Sequence, residues 1–298
     1  DLGRTWYTDL DPAGLLSLSN VLRAAAAATP SVGYTQGMNF IGAVCLHVCS
    51  GDEPAAVTVM LCMLSKIAVD YFSPGLVGAV TDVASTHELI ALVLPELGSA
   101  FGDYEDEITS WCYTDMIMCL FVHKIPLEAL LILWDLLLEL NEPENNVILF
   151  GAVLSFFSIH KSLLLEAAAA PDGSTSIMDA LQLSLDGWSG QCDAVDILRE
   201  TLRMASLLDP AQVIAIRAKH RDEILMEAHQ RSLRFRVYES RAAATEIGKM
   251  RTVCNLRQVV FDAVRAIEHS SPLPSTANHR RACVANGREA VDRCESHA

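Results

Sequence analysis

Apolar residues recur at helical spacing through most of the chain, and no stretch shows the strict alternation of a half-buried strand. The pattern predicts a first helix over 12–28, where Leu15, Leu16, Leu18, Val21 and Leu22 run into five alanines before Thr29-Pro30 stops it. Further helices are predicted over 36–50, 53–70, 80–101, 104–122, 127–140, 145–160, 176–185, 194–207 and 210–237, with one more over 242–269. The breaks carry Gly, Pro or Asp, as in Ser50-Gly51-Asp52, Ser73-Pro74-Gly75, Gly102-Asp103, Ile125-Pro126 and 170–173, and the proline-serine run over 270–275 reads as a turn or linker. No repeat of fixed period is evident, which argues against a solenoid. The expectation is an all-α chain.

Composition supports this. Hydrophobic residues make up 51% of 298 but aromatics only 6%, so Ala and Leu carry the apolar content and favour helices over strands. That length suffices for one large domain or two. The uncharged stretches 31–51 and 145–160 are interrupted by Gly, Gln, Asn, Ser or His, and read as core helices, not membrane spans. Nine cysteines without a C-x-x-C pair read as small hydrophobes in a reducing compartment. Cys45 and Cys49 would share a helix face from which His47 points away, so they read as core packing and no metal is expected. No signal peptide is visible, and a chain that begins at Asp1 reads as a piece of a longer protein.

Charge narrows the partners. The net charge is −15, but residues 1–230 hold 10 Lys and Arg against 30 Asp and Glu, while residues 231–298 hold 12 against 7. An acidic body excludes nucleic acid as the main partner, because phosphate neutralisation needs cations. The basic tail suits acidic surfaces.

The candidate chemistry lies in Gly33-Tyr34-Thr35-Gln36-Gly37-Met38-Asn39-Phe40. Gly33 and Gly37 allow close backbone approach at a helix start, and Tyr34 and Gln36 can both donate and accept hydrogen bonds. On local pattern alone the stretch also reads as a helix stop and restart, with Gln36 an exposed first-turn residue. Upstream, Asp1-x-x-Arg4 either fixes the direction of a guanidinium or forms a surface salt bridge. The helix over 12–28, followed by a turn, permits the Arg4 and Gln36 regions to meet on one face. Downstream, Trp111, Phe121, Pro126-Leu127-Glu128 and Leu133-Trp134-Asp135 read as a helix, a proline restart and a buried tryptophan beside a carboxylate. Asp135 needs a partner if buried, and otherwise is a solvated edge residue. His123, His160 and Ser162 suit core or helix-surface roles, and no G-x-S-x-G occurs.

Taken in order, Asp1-x-x-Arg4, Gly33-Tyr34-x-Gln36-Gly37-Met38-Asn39 and Trp111…Phe121…Pro126…Trp134-Asp135 resemble the TBC domain, the catalytic module of GTPase-activating proteins for Rab GTPases. The resemblance covers roughly residues 1–206 and fades beyond. It implies an all-α, two-lobed, multi-helix domain over 1–206 with its N-terminal motif region truncated, and C-terminal helices and a basic tail over 207–298. It also implies that Arg4 and Gln36 are the arginine and glutamine fingers supplied in trans, that Asp1 orients the first, and that Tyr34, Gly33 and Gly37 hold the second against the Rab. Trp111, Pro126, Trp134 and Asp135 would be structural motif residues. Thr35 stands where the family commonly has cysteine, and Trp6-Tyr7 where Phe and Pro are more usual. The implied protein is an enzyme activator, because hydrolysis occurs in the Rab. It needs no cofactor of its own: GTP and Mg²⁺ arrive with a GTP-bound Rab. The implied setting is vesicle transport, with a cytoplasmic protein recruited peripherally to endomembranes through the Rab. The alternative within the same family is a non-catalytic module acting as a Rab-binding scaffold.

Overall fold

The computed structural model describes residues 11–73, 75–102, 114–170, 173–190 and 192–230. Its helices are α1 (Pro12–Ala28), α2 (Met38–Val48), α3 (Glu53–Lys66), α4 (Val77–Val93), α5 (Pro95–Phe101), α6 (Thr114–Met118), α7 (Leu127–Leu140), α8 (Val147–Ile159), α9 (Lys161–Ala168), α10 (Gly173–Gly190), α11 (Ala194–Ala205) and α12 over 210–230. There is no strand among the described residues, so the fold is all-α as the periodicity implies.

Aspartates start several helices. The Asp11 carboxylate accepts from the Gly14 N–H at 2.8 Å, and Pro12 fills the first turn of α1, where its missing N–H costs nothing. Asp52 caps α3 through the Ala55 N–H at 3.0 Å, Asp193 caps α11 through Val195, and Asp209 caps α12 through Ala211.

Several boundaries differ from the sequence expectation. The helix expected over 80–101 is two, α4 and α5, broken at Leu94 (φ −125°, ψ 62°). Pro95 has no N–H for the ladder and its ring clashes with the preceding turn, so periodicity alone overran it. The helix expected over 53–70 stops at Lys66, and the chain turns through Asp70 at φ 60° to bury Tyr71 and Phe72. The helix expected to reach 122 ends at Met118, and residues 119–124 form a turn. Helix α9 was not anticipated, and α10 is longer than the 176–185 expected. The predicted helix over 242–269 and the end of the one over 210–237 lie outside the described residues.

Two groups of helices bury the core. In the first, α1, α2 and α3 pack on one another through Leu18, Val21, Leu22, Met38, Ile41, Val44, Met60 and Met63. Each such fully buried side chain stabilises by about 1.5–3 kcal/mol. In the second, α8 is apolar on every side and buried from Ile148 to Phe157, which makes it the centre around which α4, α7, α9 and α11 pack. No single helix among the described residues is long and apolar enough to cross a membrane.

A buried ionic cluster ties distant segments together. Asp82 on α4 has no solvent exposure. One carboxylate oxygen accepts from the Tyr71 hydroxyl and from Asn146 Nδ2 at 2.7 Å, and the other accepts from Arg217 Nε at 2.6 Å. Arg217, on α12, also donates through Nη1 to the Pro143 and Glu144 carbonyls. Burial, then the adjacent Asp82 carboxylate, holds the Tyr71 phenol well above its ordinary range, so Tyr71 remains the donor. Nearer the surface, α12 adds Lys219 and His220 on Glu88 and Arg221 on Asp70.

Helix α8 packs closely against α11, made possible by a missing side chain. A Cβ on Gly151 would lie 2.7 Å from the Thr201 carbonyl and 2.8 Å from the Ala205 Cβ, neither of which can swing away. Gly151→Ala is therefore expected to destabilise by about 1–3 kcal/mol. Thermal unfolding should show a Tm lower by about 2–12 °C, and an unchanged Tm would mean the two helices separate at little cost.

Candidate functional site

The site is the connection between α1 and α2. Helix α1 stops at Thr29, whose hydroxyl donates to the Ala25 carbonyl at 2.8 Å, and the Thr29 carbonyl then accepts from Val32 and Gly33. Gly33 sits at φ 67°, which reverses the chain and delivers Tyr34 and Gln36 to the surface. Tyr34 is 44% exposed, and partial burial raises its phenol pKa, so it is a neutral donor at physiological pH.

Gln36 is exposed, but the backbone on both sides of it is held. Before it, the Thr35 hydroxyl donates to the Phe72 carbonyl at 3.5 Å and the Thr35 N–H points at Met38 Sδ at 3.3 Å. After it, the Gly37 N–H donates to Asn39 Oδ1 at 3.2 Å, and the Thr35 and Gly37 carbonyls accept from Met38 and Phe40. Gly37 adopts φ 105° and is buried; a Cβ there would stand 3.4 Å from the Met118 carbonyl and 3.6 Å from the Phe72 ring. The amide of Gln36 thus projects into solvent from a strap seated on two turns.

The second of those turns explains the downstream motif. Residues 119–124 follow α6 with Leu120, Phe121 and His123 all at positive φ, which apolar residues rarely adopt unless packing compels them. Trp134 compels it: its indole Nε1 donates to the Leu120 carbonyl at 2.9 Å while its ring is buried on α7. The Phe121 ring meets Trp188 edge-on, and His123 meets Phe40 edge-on at 4.9 Å, joining the turn to α2. Pro126 is the residue that starts α7, and its carbonyl accepts from Leu130. Asp135 is exposed, which selects the solvated reading of the two left open by the sequence.

Arg4, Asp1 and Trp111 lie outside the described residues. The described part of the site therefore brings together Gly33, Tyr34, Gln36 and Gly37, with Trp134 beneath them through the 118–121 turn. Sequence reasoning missed Phe72 and Met118, whose carbonyls meet the Thr35 hydroxyl and stand beside Gly37; main-chain atoms leave no signal in residue type. Among the described residues no group of three or more His, Cys, Asp or Glu is placed to hold a metal ion. The Cys45 thiol is buried and pushed up to about 12 by that burial and by Cys49, so it packs as a neutral hydrophobe.

A family model described as the Rab-GTPase-TBC domain matches residues 1–165. Growth hormone-regulated TBC protein 1 of Rattus norvegicus is 31% identical over 178 residues, covering 58% of this chain and 60% of the rat protein. The Homo sapiens protein of the same name is 32% identical over 58% of this chain and 51% of its own. A small G protein signaling modulator 3 homolog of Xenopus laevis is 24% identical over 98% of this chain but only 36% of its own length. The chain thus spans about three fifths or less of these relatives. Among solved structures, the TBC domain of a Chlamydomonas flagellar RabGAP superposes with a TM-score of 0.51, at 23% identity over 65% of this chain and 60% of that one, which shows a shared fold.

The two glycines of the strap are predicted to differ in tolerance. A Cβ on Gly33 would meet nothing within 4 Å, so Gly33→Ala carries only the left-handed backbone penalty, about 1–2 kcal/mol. Gly37→Ala meets the Met118 carbonyl only at ordinary contact distance, but its φ of 105° also lies outside the left-handed well, so it should cost more. Urea midpoints measured for both variants check the order; equal midpoints would mean the strap relaxes Gly37 to a permitted φ at no cost.

Proposed function

Because this chain belongs to the Rab-GTPase-TBC domain family, we propose that it accelerates GTP hydrolysis by a GTP-bound Rab, with Gln36 and Arg4 entering the partner's nucleotide site. The observation that carries this reading is Gln36: an exposed side chain on a strap whose neighbours on both sides are held by Phe72, Asn39 and the Met118 turn. A surface glutamine without a partner-directed role has no need of such a seat.

The chemistry asks for these two side chains. In GTP hydrolysis water attacks the γ-phosphorus while charge grows on the phosphate oxygens, and the Mg²⁺ is already held by the GTPase. An amide can accept from the attacking water and donate to the γ-phosphate at once. A guanidinium offers fixed positive charge and a planar donor fork that an ammonium lacks. The GTP and Mg²⁺ belong to the partner, so this chain supplies only positioning and charge. Recruitment to endomembranes from the cytoplasm would then follow from where that Rab resides.

The test is a GTP-hydrolysis screen of the chain against a panel of GTP-loaded Rabs, repeated with Gln36→Ala and Arg4→Ala. For a responsive Rab, each variant should lose about 10³–10⁵-fold of the stimulation. Gln36→Ala should also leave the unfolding midpoint within about 0.5 kcal/mol of the parent, since the side chain is exposed. Rab binding without any stimulation by the parent chain would overturn the catalytic reading in favour of a scaffold.

A further inference from the structure

Helix α12 lies beyond the segment that the family model matches, which ends at residue 165, yet its contacts lead to the strap that carries Gln36. The path can be followed atom by atom. Arg217 Nε and Nη2 donate to the two oxygens of Asp82, at 2.6 and 3.3 Å. Asp82 in turn accepts the hydroxyl of Tyr71, whose ring is wholly buried. Tyr71 is bonded to Phe72, and Phe72 is the residue that touches the strap twice: its carbonyl accepts from Thr35 and its ring lies 3.6 Å from where a Gly37 Cβ would stand.

Nothing else on this path has room to move. The Asp82 side chain is fully buried and Arg217 is 14% exposed, so displacing either strands a charge away from water. Through Nη1 the same guanidinium holds the Pro143 and Glu144 carbonyls, and through Asn146 the cluster reaches Asn141 and the start of α8. The turn that presents Phe72 is therefore clamped through Tyr71, the residue next to the one that meets the strap. We propose that Arg217 is a positioning residue for Gln36, acting through Asp82 and the Tyr71-Phe72 turn, so that α12 is part of the working unit and not only a covering helix. This inference rests on the GTPase-activating reading given above for its catalytic readout, and on backbone protection for a readout independent of it.

The experiment compares the full chain with Arg217→Lys and Tyr71→Phe. Lysine keeps the charge but has no fork, and cannot hold both Asp82 and two carbonyls; phenylalanine keeps the ring and removes only the hydroxyl that reaches Asp82. With a Rab that the parent stimulates, Arg217→Lys should lower kcat by about 10–100-fold, the scale of an ångström-level misplacement, with KM for the Rab held within about threefold because uniform binding is untouched. Amide hydrogen exchange of Gly37 and Met38 should quicken in both variants, while exchange in the first turns of α1, which the cluster does not touch, stays as in the parent. Unchanged strap exchange in a folded variant, or a rise in KM without a fall in kcat, overturns the proposal. If Arg217→Lys does not fold, Tyr71→Phe decides by the same two measurements. If the parent stimulates no Rab, the functional reading fails on its own and strap exchange alone decides whether Arg217 holds the strap.

Discussion

The described fold depends on a single carboxylate that has been taken out of water. An Asp82 carboxylate with no exposure, paired with the Arg217 guanidinium, is tolerable only if every lone pair is met, because an uncompensated buried charge costs several kcal/mol. The partners that meet it come from Tyr71, Asn146 and Arg217, residues that are far apart in the chain. Each partner is itself tied: Asn146 accepts from Asn141, Asn141 accepts from the Ile148 N–H, and Arg217 holds two main-chain carbonyls. Apolar contacts between the same helices would tolerate a slip of an ångström. This cluster does not, because a slip leaves a charge or a buried carbonyl unpaired.

That constraint explains how a strap built on glycines can carry a working side chain. Gly33 and Gly37 give the 33–40 stretch the backbone angles it needs, but glycine is also the residue with the most freedom to lose. Order has to come from outside the strap. It comes from Phe72, which the buried cluster fixes from one side, and from the Met118–Phe121 turn, which Trp134 fixes from the other. The tryptophan that looked like a motif marker is thus a donor to a carbonyl in a turn where Leu120 and Phe121 hold left-handed angles.

The elements were legible where their causes are local. Asp11-Pro12 and Asp52 announce helix starts by side-chain capping, and the run from Val147 to Ile159, without a charge and apolar but for two serines, announces a helix buried nearly all round. Gln36 stood out because an amide between glycines has no use in a core. Other causes are not local. The break at Leu94-Pro95 was written in the proline, yet helical periodicity on both sides masked it. The left-handed angles at Leu120, Phe121 and His123 contradict residue preference and are imposed by Trp134 and Phe40. Asp82 and Arg217 are 135 residues apart, and each reads alone as an ordinary helix charge. Arg217 also binds main-chain carbonyls, which have no sequence signature at all.

A buried ion cluster is a poor way to gain stability, since well-packed apolar side chains of similar volume often do as well or better. Its use lies in what an apolar core supplies weakly, a unique register between segments that are remote in sequence. For Tyr71, Asn146 and Arg217 that register decides where the 67–73 turn stands relative to α4 and α12. The same turn presents the Phe72 carbonyl to Thr35, one residue before Gln36. A polar cluster in the interior and an exposed amide at the surface are therefore two ends of one requirement. On the proposed reading, an amide that is to meet a water molecule in another protein's site has to be aimed by groups that cannot slide, and buried charges are the groups in this fold least able to do so.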